Sequence, residues 1–203
     1  MLGKTLITLL LIASPLIQAQ ETFTVLFLGD SLIEGLGLET EQAFTSLVDE
    51  RLKREGYGDI TIVNAGISGS TSASALERMQ WYVRSRPDLV ILSLGANDGL
   101  RGLSVDNMKG NLAEAIEFAQ SNNIQVALTG MLTPPNMGPE YTSSFAQVFP
   151  DLAAEYQLPF MPFLLLDVAA IPELNQADGI HPNIEGSRIV AEHVYQFLLP
   201  LLP

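Results

Sequence analysis

Short runs of consecutive apolar residues recur along the chain, separated by longer segments in which apolar positions have helical spacing. The runs lie at residues 23–28, 60–63, 88–94, 124–128 and 160–165, and several of them end in glycine followed by a polar residue. Continuous apolar runs of this length are typical of strands that are buried on both faces. The pattern therefore predicts a sheet of about five strands.

The segments between these runs predict helices. Apolar positions recur at helical spacing in residues 41–54, 72–86, 104–122, 141–156 and 186–199. Strands that alternate with helices indicate a parallel sheet with helices on both faces. We therefore predict a three-layer α/β fold.

Polar clusters follow three of the predicted strands. They are Gly29-Asp30-Ser31, residues 64–70 and residues 95–98. In open parallel sheets the ligand crevice lies at the carboxyl ends of the strands. We expect the three clusters to meet there.

The first twenty residues have a different character. Lys4 precedes a short apolar run at residues 6–13, Ser14 and Pro15 interrupt the run, and Ala19 ends a loose small-residue cleavage pattern. This arrangement predicts a secretory signal peptide over residues 1–19 and a periplasmic or secreted domain over residues 20–203. The alternative is that the run forms a strand or helix of the core.

Composition narrows the choice of partners. The formal net charge is -13 and the acidic residues are dispersed, so a nucleic-acid partner is not expected. No cysteine is present, which excludes disulfides and a thiolate nucleophile. No apolar stretch reaches the roughly 20 residues that span a bilayer, so we expect no stable membrane insertion.

One of the two histidines has surroundings suited to proton transfer. His193 falls inside the predicted helix 186–199 and is interpreted as a surface or half-buried helical residue. His181 follows Asp178 by three residues in a turn-rich segment, where a tight turn can bring the carboxylate to one imidazole nitrogen. Such a pair can act as a base near neutral pH, and a purely structural loop contact is the alternative.

Ser31 is the candidate nucleophile because a turn from strand to helix can expose its hydroxyl. A plain helix cap is the alternative interpretation. Neither the Gly-x-Ser-x-Gly nor the Ser-x-x-Lys motif occurs, which disfavours an α/β-hydrolase and a serine–lysine site. Four clustered serines are interpreted as loop and capping residues: Ser68, Ser70, Ser72 and Ser74.

Two further residues could stabilise an oxyanion. Gly69 could offer a backbone N–H at close approach, and Asn97 a side-chain N–H. Tight-turn roles are the alternatives for both. A rival metal site could use Asp30, Asp98 and Asp178 with His181, but no metal-binding spacing occurs, so we expect no metal or cofactor.

Four motifs in this order resemble those of the GDSL, or SGNH, hydrolases. They are GDSL at residues 29–32, NAGISG at 64–69, GAND at 95–98 and DGIHP at 178–182. Residues 97–102 and 135–141 further resemble the branch that contains thioesterase I/protease I/lysophospholipase L1 and related arylesterases. The resemblance covers essentially the whole chain after the predicted signal peptide.

The resemblance implies a flavodoxin-like three-layer α/β/α sandwich and assigns a role to each candidate. Ser31 would be the nucleophile, and Asp178 and His181 the catalytic acid and base. The backbone N–H groups of Ser31 and Gly69, with the Asn97 side chain, would form the oxyanion hole. The loop after Asn97 would line the acyl pocket and move on binding.

The implied activity is hydrolysis of carboxylic esters through an acyl-enzyme. Aryl esters, lysophospholipids and acyl thioesters are the expected small-molecule substrates, and we expect a monomer. The alternatives are a carbohydrate acetylesterase and a non-catalytic lipid- or ester-binding protein. A flavin-binding electron carrier of similar fold is disfavoured, because the sequence after the first predicted strand lacks the phosphate-binding loop expected of such a protein. Ser70, Glu34 and Leu36 depart from residues common among relatives, which leaves acyl and leaving-group preference open.

Overall fold

A computed structural model describes residues 22–203 as a parallel sheet between two helical layers. The predicted signal peptide and its cleavage site lie outside the described residues. The strands are β1 (Phe23–Gly29), β2 (Ile60–Gly66), β3 (Leu89–Ser93), β4 (Gln125–Thr129) and β5 (Phe160–Met161). All pairings are parallel, in the order β2-β1-β3-β4-β5. The predicted fold class is confirmed.

Seven α-helices connect and flank the strands in this part of the chain. They are α1 (Ser31–Glu34), α2 (Phe44–Arg54), α3 (Ala75–Tyr82), α4 (Ala96–Leu100), α5 (Val105–Ser121), α6 (Pro139–Glu155) and α7 (Ile184–Leu198). Helix α2 packs with α7, whereas α5 packs with both α3 and α6. The two groups bury the apolar faces of the sheet, where β3 is fully buried along its length.

The structure corrects several predicted boundaries. The last strand ends at Met161 instead of continuing to residue 165, because Pro162 has no N–H with which to extend the ladder. The predicted helix 72–86 is an α-helix only over Ala75–Tyr82, with a 3₁₀ turn at each end. Helix α7 begins at Ile184, earlier than predicted, since the Asn183 side chain caps it.

The register of the sheet brings the predicted polar clusters together. Gly29 at the end of β1 pairs with Gly66 of β2 and with Ser93 of β3. The segments that follow these three strands therefore start side by side at one edge of the sheet. Among residues 22–203, no helix is long and apolar enough to cross a membrane.

Substitution of Gly66 tests how tightly this edge of the sheet is packed, and substitution of Gly110 in α5 serves as the control. A Cβ at Gly66 would lie 2.1 Å from the backbone nitrogen of Glu34, whereas a Cβ at Gly110, which is exposed in α5, would meet nothing within 4 Å. We expect Gly66→Ala to lower the free energy of unfolding by about 2–3 kcal/mol, because backbone cannot give way cheaply. The matched Gly110→Ala is expected to raise it by about 0.5–1 kcal/mol. Urea unfolding measures both, and equal effects of the two substitutions would contradict this packing.

Candidate active site

Ser31 lies at the junction of β1 and α1, where the local sequence forces a sharp turn. The Asp30 side chain caps α1 by accepting from the Leu32 backbone N–H at 3.0 Å. A Cβ at Gly29 would lie 2.0 Å from the Ile33 side chain, so the turn needs glycine. Ser31 is then the first helical residue, and its own N–H has no acceptor within the helix. The predicted strand-to-helix turn is present.

His181 is within hydrogen-bonding distance of Ser31. Its Nε2 lies 2.8 Å from Ser31 Oγ, and its Nδ1 lies 2.6 Å from Asp178 Oδ2. In the tautomer with its proton on Nδ1, the ring donates a hydrogen bond from Nδ1 to the carboxylate, and Nε2 is free to accept one from the Ser31 hydroxyl. The imidazole is 15% exposed, which is enough for contact with a substrate.

A tight turn holds Asp178 against His181, as the three-residue spacing predicts. Asp178 Oδ1 accepts from the backbone N–H groups of Ile180 at 2.9 Å and His181 at 3.0 Å. Burial opposes ionisation of Asp178, but the hydrogen bonds from the His181 ring and from these N–H groups outweigh it and lower the pKa to about 2. The carboxylate is therefore ionised wherever an imidazole can act as base.

Gln176 fixes this turn to the segment that follows the nucleophile, a role that the sequence pattern did not indicate. Its backbone N–H donates to His181 O at 2.8 Å. Its side-chain Nε2 donates to Leu36 O at 2.7 Å and to Pro182 O at 3.0 Å. A glutamine two residues before the candidate acid carried no sequence signal of its own, because its acceptors are backbone carbonyls.

Gly69 lies in the loop after β2, and Asn97 lies in α4, which follows β3 at the same edge of the sheet. Gly69 has a φ of 77°, which suits glycine. Asn97 Nδ2 donates to Ser70 O at 3.1 Å and makes only a long contact of 3.5 Å to Asp30 Oδ2. One amide hydrogen is therefore engaged with Ser70, and the second makes only the long contact to Asp30, which a ligand could replace.

A buried arginine lies behind the site and was missed by the sequence analysis. Arg78 of α3 donates to Gly29 O at 2.8 Å and also to Ala65 O. It therefore ties together the ends of β1 and β2. Burial lowers its pKa, whereas the nearby Asp30 raises it. A charged residue such as Arg78 within an amphipathic segment is normally interpreted as facing solvent, so the spacing of apolar positions alone could not reveal this contact.

The metal-site alternative does not fit the geometry. Both oxygens of Asp98 accept from Ser72, and no group of three or more acidic or histidine side chains in residues 22–203 is placed to hold a metal ion. The second histidine lies elsewhere on α7, half-buried, with Nε2 of His193 3.3 Å from Asp167.

Asp30 makes the stability of the protein depend on pH. Burial raises its pKa to about 6, against the lowering effects of the Leu32 N–H, His181 and Asn97. Because the pKa is higher in the folded state than in the unfolded chain, its contribution is fully present below about pH 4 and is lost as the pH rises through 6. In the parent, we expect this group to lower the free energy of unfolding by up to about 3 kcal/mol as the pH rises from acid to neutral. In Asp30→Asn, this pH-dependent loss of stability is expected to be absent.

Urea unfolding at pH 4.5 and 7.5 measures this decrease in the parent and in the variant. The lowered pKa of Asp178 affects stability only between about pH 4 and pH 2, below this range. An identical pH dependence in Asp30→Asn would show that Asp30 is not the group responsible.

Comparison with known proteins places the chain in a family. The GDSL-like Lipase/Acylhydrolase profile matches residues 27–189, which include all the candidate residues. The chain belongs to this family. Esterase TesA of Pseudomonas aeruginosa is 40% identical over 188 residues, covering 92% of this chain and 93% of that protein. Thioesterase 1/protease 1/lysophospholipase L1 of Escherichia coli K12 is 32% identical over 186 residues, covering 91% and 88%.

A solved structure of an esterase has the same fold. The psychrotrophic esterase EstA from Pseudoalteromonas sp., inhibited by monoethylphosphonate, superposes with a TM-score of 0.84 at 35% identity. The match covers 88% of this chain and 97% of that one. The predicted relationship to GDSL hydrolases is thereby confirmed.

Residues that depart from common family residues surround the candidate nucleophile. Glu34 accepts from the backbone N–H of Ser68 at 2.7 Å and from the Ser68 hydroxyl. Leu36 is 44% exposed and lines a small cavity next to Ser31. These side chains can affect which esters fit, because they lie beside the turn that carries Ser31.

Proposed function

We propose that this protein is a serine esterase in which Ser31, His181 and Asp178 form the catalytic triad. The observation that carries the proposal is the continuous hydrogen-bonded chain from Ser31 Oγ through His181 to Asp178, at 2.8 and 2.6 Å. The family and its esterase members support the same conclusion. A serine hydroxyl becomes nucleophilic when an oriented imidazole accepts its proton.

The reaction would proceed through two acyl transfers. His181 takes the Ser31 proton as Oγ attacks the ester carbonyl, and Asp178 stabilises the imidazolium. The tetrahedral oxyanion accepts hydrogen bonds from the backbone N–H groups of Ser31 and Gly69 and from Asn97. His181 then protonates the leaving alcohol, and water attacks the acyl-enzyme by the same route. No step requires a cofactor.

Aryl esters, lysophospholipids and acyl thioesters are the proposed substrates. The names of the relatives support this range, since one is an esterase and another a thioesterase and lysophospholipase. The predicted signal peptide supports action in the periplasm or outside the cell. In that location lysophospholipids and other esters are accessible, whereas acyl-CoA is not. The proposed acting form is a monomer.

A short acyl group is favoured by one feature of the site. The cavity beside Ser31, which Leu36, Phe44 and His181 also line, leaves only about 10 Å³ for a water-sized group. That volume holds about one water molecule, so this cavity would admit no acyl group larger than a small one such as acetyl. Hydrolysis of acetyl esters, as by a carbohydrate acetylesterase, is therefore the second candidate. A longer chain would need a different surface, for which the exposed Leu100 and Leu103, which follow Asn97 in sequence, are the candidates.

Initial rates on p-nitrophenyl esters from acetyl to palmitoyl test the proposal. We expect hydrolysis, and the chain-length optimum separates an acetylesterase from a lipid-type esterase. Hydrolysis rates on acetylated sugars and on a lysophospholipid, measured in parallel, test the acetylesterase and the lipid-type esterase on substrates of the proposed classes. No hydrolysis of any ester by folded protein would favour the non-catalytic lipid- or ester-binding alternative.

A further inference from the structure

The proposed oxyanion donors come from two separate segments. Gly69 belongs to the loop after β2, whereas Asn97 belongs to α4, which follows β3. These segments are not adjacent in sequence, so other contacts must fix the distance between the two donors. Such donors stabilise a transition state only when they are held where the charge develops.

Three contacts join α4 and its end to the loop after β2. Asn97 Nδ2 donates to Ser70 O at 3.1 Å, and the exposed Arg101 donates to Gly69 O at 3.0 Å. The third contact is buried and uses Asp98 as a double acceptor: Oδ2 accepts from the Ser72 backbone N–H at 2.8 Å and Oδ1 from the Ser72 hydroxyl at 2.6 Å.

The third contact is the most deeply buried of the three. Asp98 is 3% exposed and Ser72 is fully buried. Asn111 of α5 donates to Ser72 Oγ at 2.9 Å, so the hydroxyl both accepts and donates. A buried carboxylate that receives two hydrogen bonds from one residue fixes both the distance and the orientation of that residue. Asp98 directly follows Asn97, and Ser72 lies three residues after Gly69.

We propose that Asp98 and Ser72 are positioning residues that fix the two oxyanion donors relative to each other. The inference rests on the proposed function, because it assigns Gly69 and Asn97 to the oxyanion. The pair makes no hydrogen bond to Ser31, His181 or Asp178; it acts through the backbone of α4 and of the loop after β2. Its effect therefore falls on stabilisation of the transition state rather than on substrate binding or on the base.

Asp98→Asn and Ser72→Ala test the pair with a short-chain p-nitrophenyl ester. An asparagine keeps the shape but accepts at one atom only, and it places an N–H₂ against a Ser72 donor. We expect kcat to fall about 10–100-fold in Asp98→Asn, since small misplacements of donors are costly, with KM changed by about twofold or less. Ser72→Ala loses only one of the two hydrogen bonds, so its loss of kcat is expected to be smaller.

Two readouts separate positioning from a merely structural role. A trifluoromethyl ketone, which forms a tetrahedral adduct with an oxyanion, is expected to bind more weakly in proportion to the loss of kcat/KM. The apparent pKa in the pH–rate profile is expected to stay at its parent value, because His181 and Asp178 are untouched. A changed pH profile with unchanged inhibitor affinity would overturn the proposal.

Controls address loss of stability. Asp88→Asn removes a carboxylate that also accepts a backbone N–H, from Thr24 at 2.7 Å, but at the amino-terminal end of the sheet. Leu52→Ala opens the core in α2, where Leu52 is fully buried. If these control variants lose as much kcat as Asp98→Asn when their Tm is lowered by the same amount, the inference is overturned. If Asp98→Asn does not fold, Ser72→Ala alone decides, and a kcat equal to that of the parent contradicts the proposal.

The parent enzyme distinguishes the two levels of failure. Active parent protein with a fully active Asp98→Asn refutes the positioning role but leaves the proposed function intact. Parent protein that hydrolyses no ester refutes the proposed function, and the inference falls with it.

Discussion

Replacing Ser31 by alanine is expected to lower kcat for ester hydrolysis by about 10⁴-fold or more. The reason is that Ser31 Oγ is the atom 2.8 Å from His181 Nε2 and is proposed to form the acyl-enzyme. Since the substitution removes one small polar atom, the fold is expected to persist, with a Tm within a few degrees of the parent's. Parallel measurement of kcat/KM on a p-nitrophenyl ester and of thermal unfolding tests both parts.

A matched control for this experiment is Ser93→Ala. Ser93 is also buried and also has one side-chain hydrogen bond, which its Oγ accepts from Thr129 Oγ1 at 2.8 Å. It is expected to retain the parent activity. Comparable activity of Ser31→Ala and Ser93→Ala would exclude Ser31 as the nucleophile.

Replacing Asp178 by asparagine is expected to lower kcat by roughly 10³–10⁴-fold. The carboxylate accepts from His181 Nδ1 and holds the proton there, whereas an asparagine N–H₂ would favour the opposite tautomer. The imidazolium formed in the reaction would also lose its counter-charge. The main effect is expected in kcat, with KM nearly unchanged, because Asp178 does not contact the ester.

The pH–rate profile supplies the second readout for Asp178→Asn. Because the pKa of Asp178 is about 2, its charge is constant from pH 5 to 9, so titration of Asp178 itself contributes nothing to the parent profile in that range. Removing the negative charge next to the base is expected to change the shape of the variant's pH–rate profile. A variant with the parent rate and pH profile would mean that the pair is only a loop contact.

The main strands were predictable because their apolar runs are uninterrupted and end at glycine or polar residues. The parallel sheet and the meeting of the three polar clusters at one edge followed from those runs. The short helix Ala96–Leu100 was not predicted, since five residues carry no periodicity. For Ser31–Glu34, only the turn from strand to helix was predicted, without the bounds of the helix. The two-residue length of β5 depends on Pro162, whose missing N–H an apolar pattern does not register.

The candidate site was predictable where chemistry is concentrated in a motif. His181 and Asp178 are three residues apart, so a local turn accounts for their contact. Residues that act through backbone carbonyls were missed, as Gln176 and Arg78 illustrate. Ser72 was interpreted as a loop or capping residue, but the structure places it on a buried carboxylate. Such contacts join distant segments, so no spacing reveals them.

The nucleophile assignment is tested most directly by covalent labelling. The parent protein and Ser31→Ala would be treated with a fluorophosphonate, and intact mass and peptide sequencing would locate the adduct. The account predicts one phosphonyl group per chain, on Ser31, with loss of esterase activity in step with labelling and no adduct in Ser31→Ala. A stoichiometric adduct on another residue, or full loss of activity with Ser31 unmodified, would contradict it.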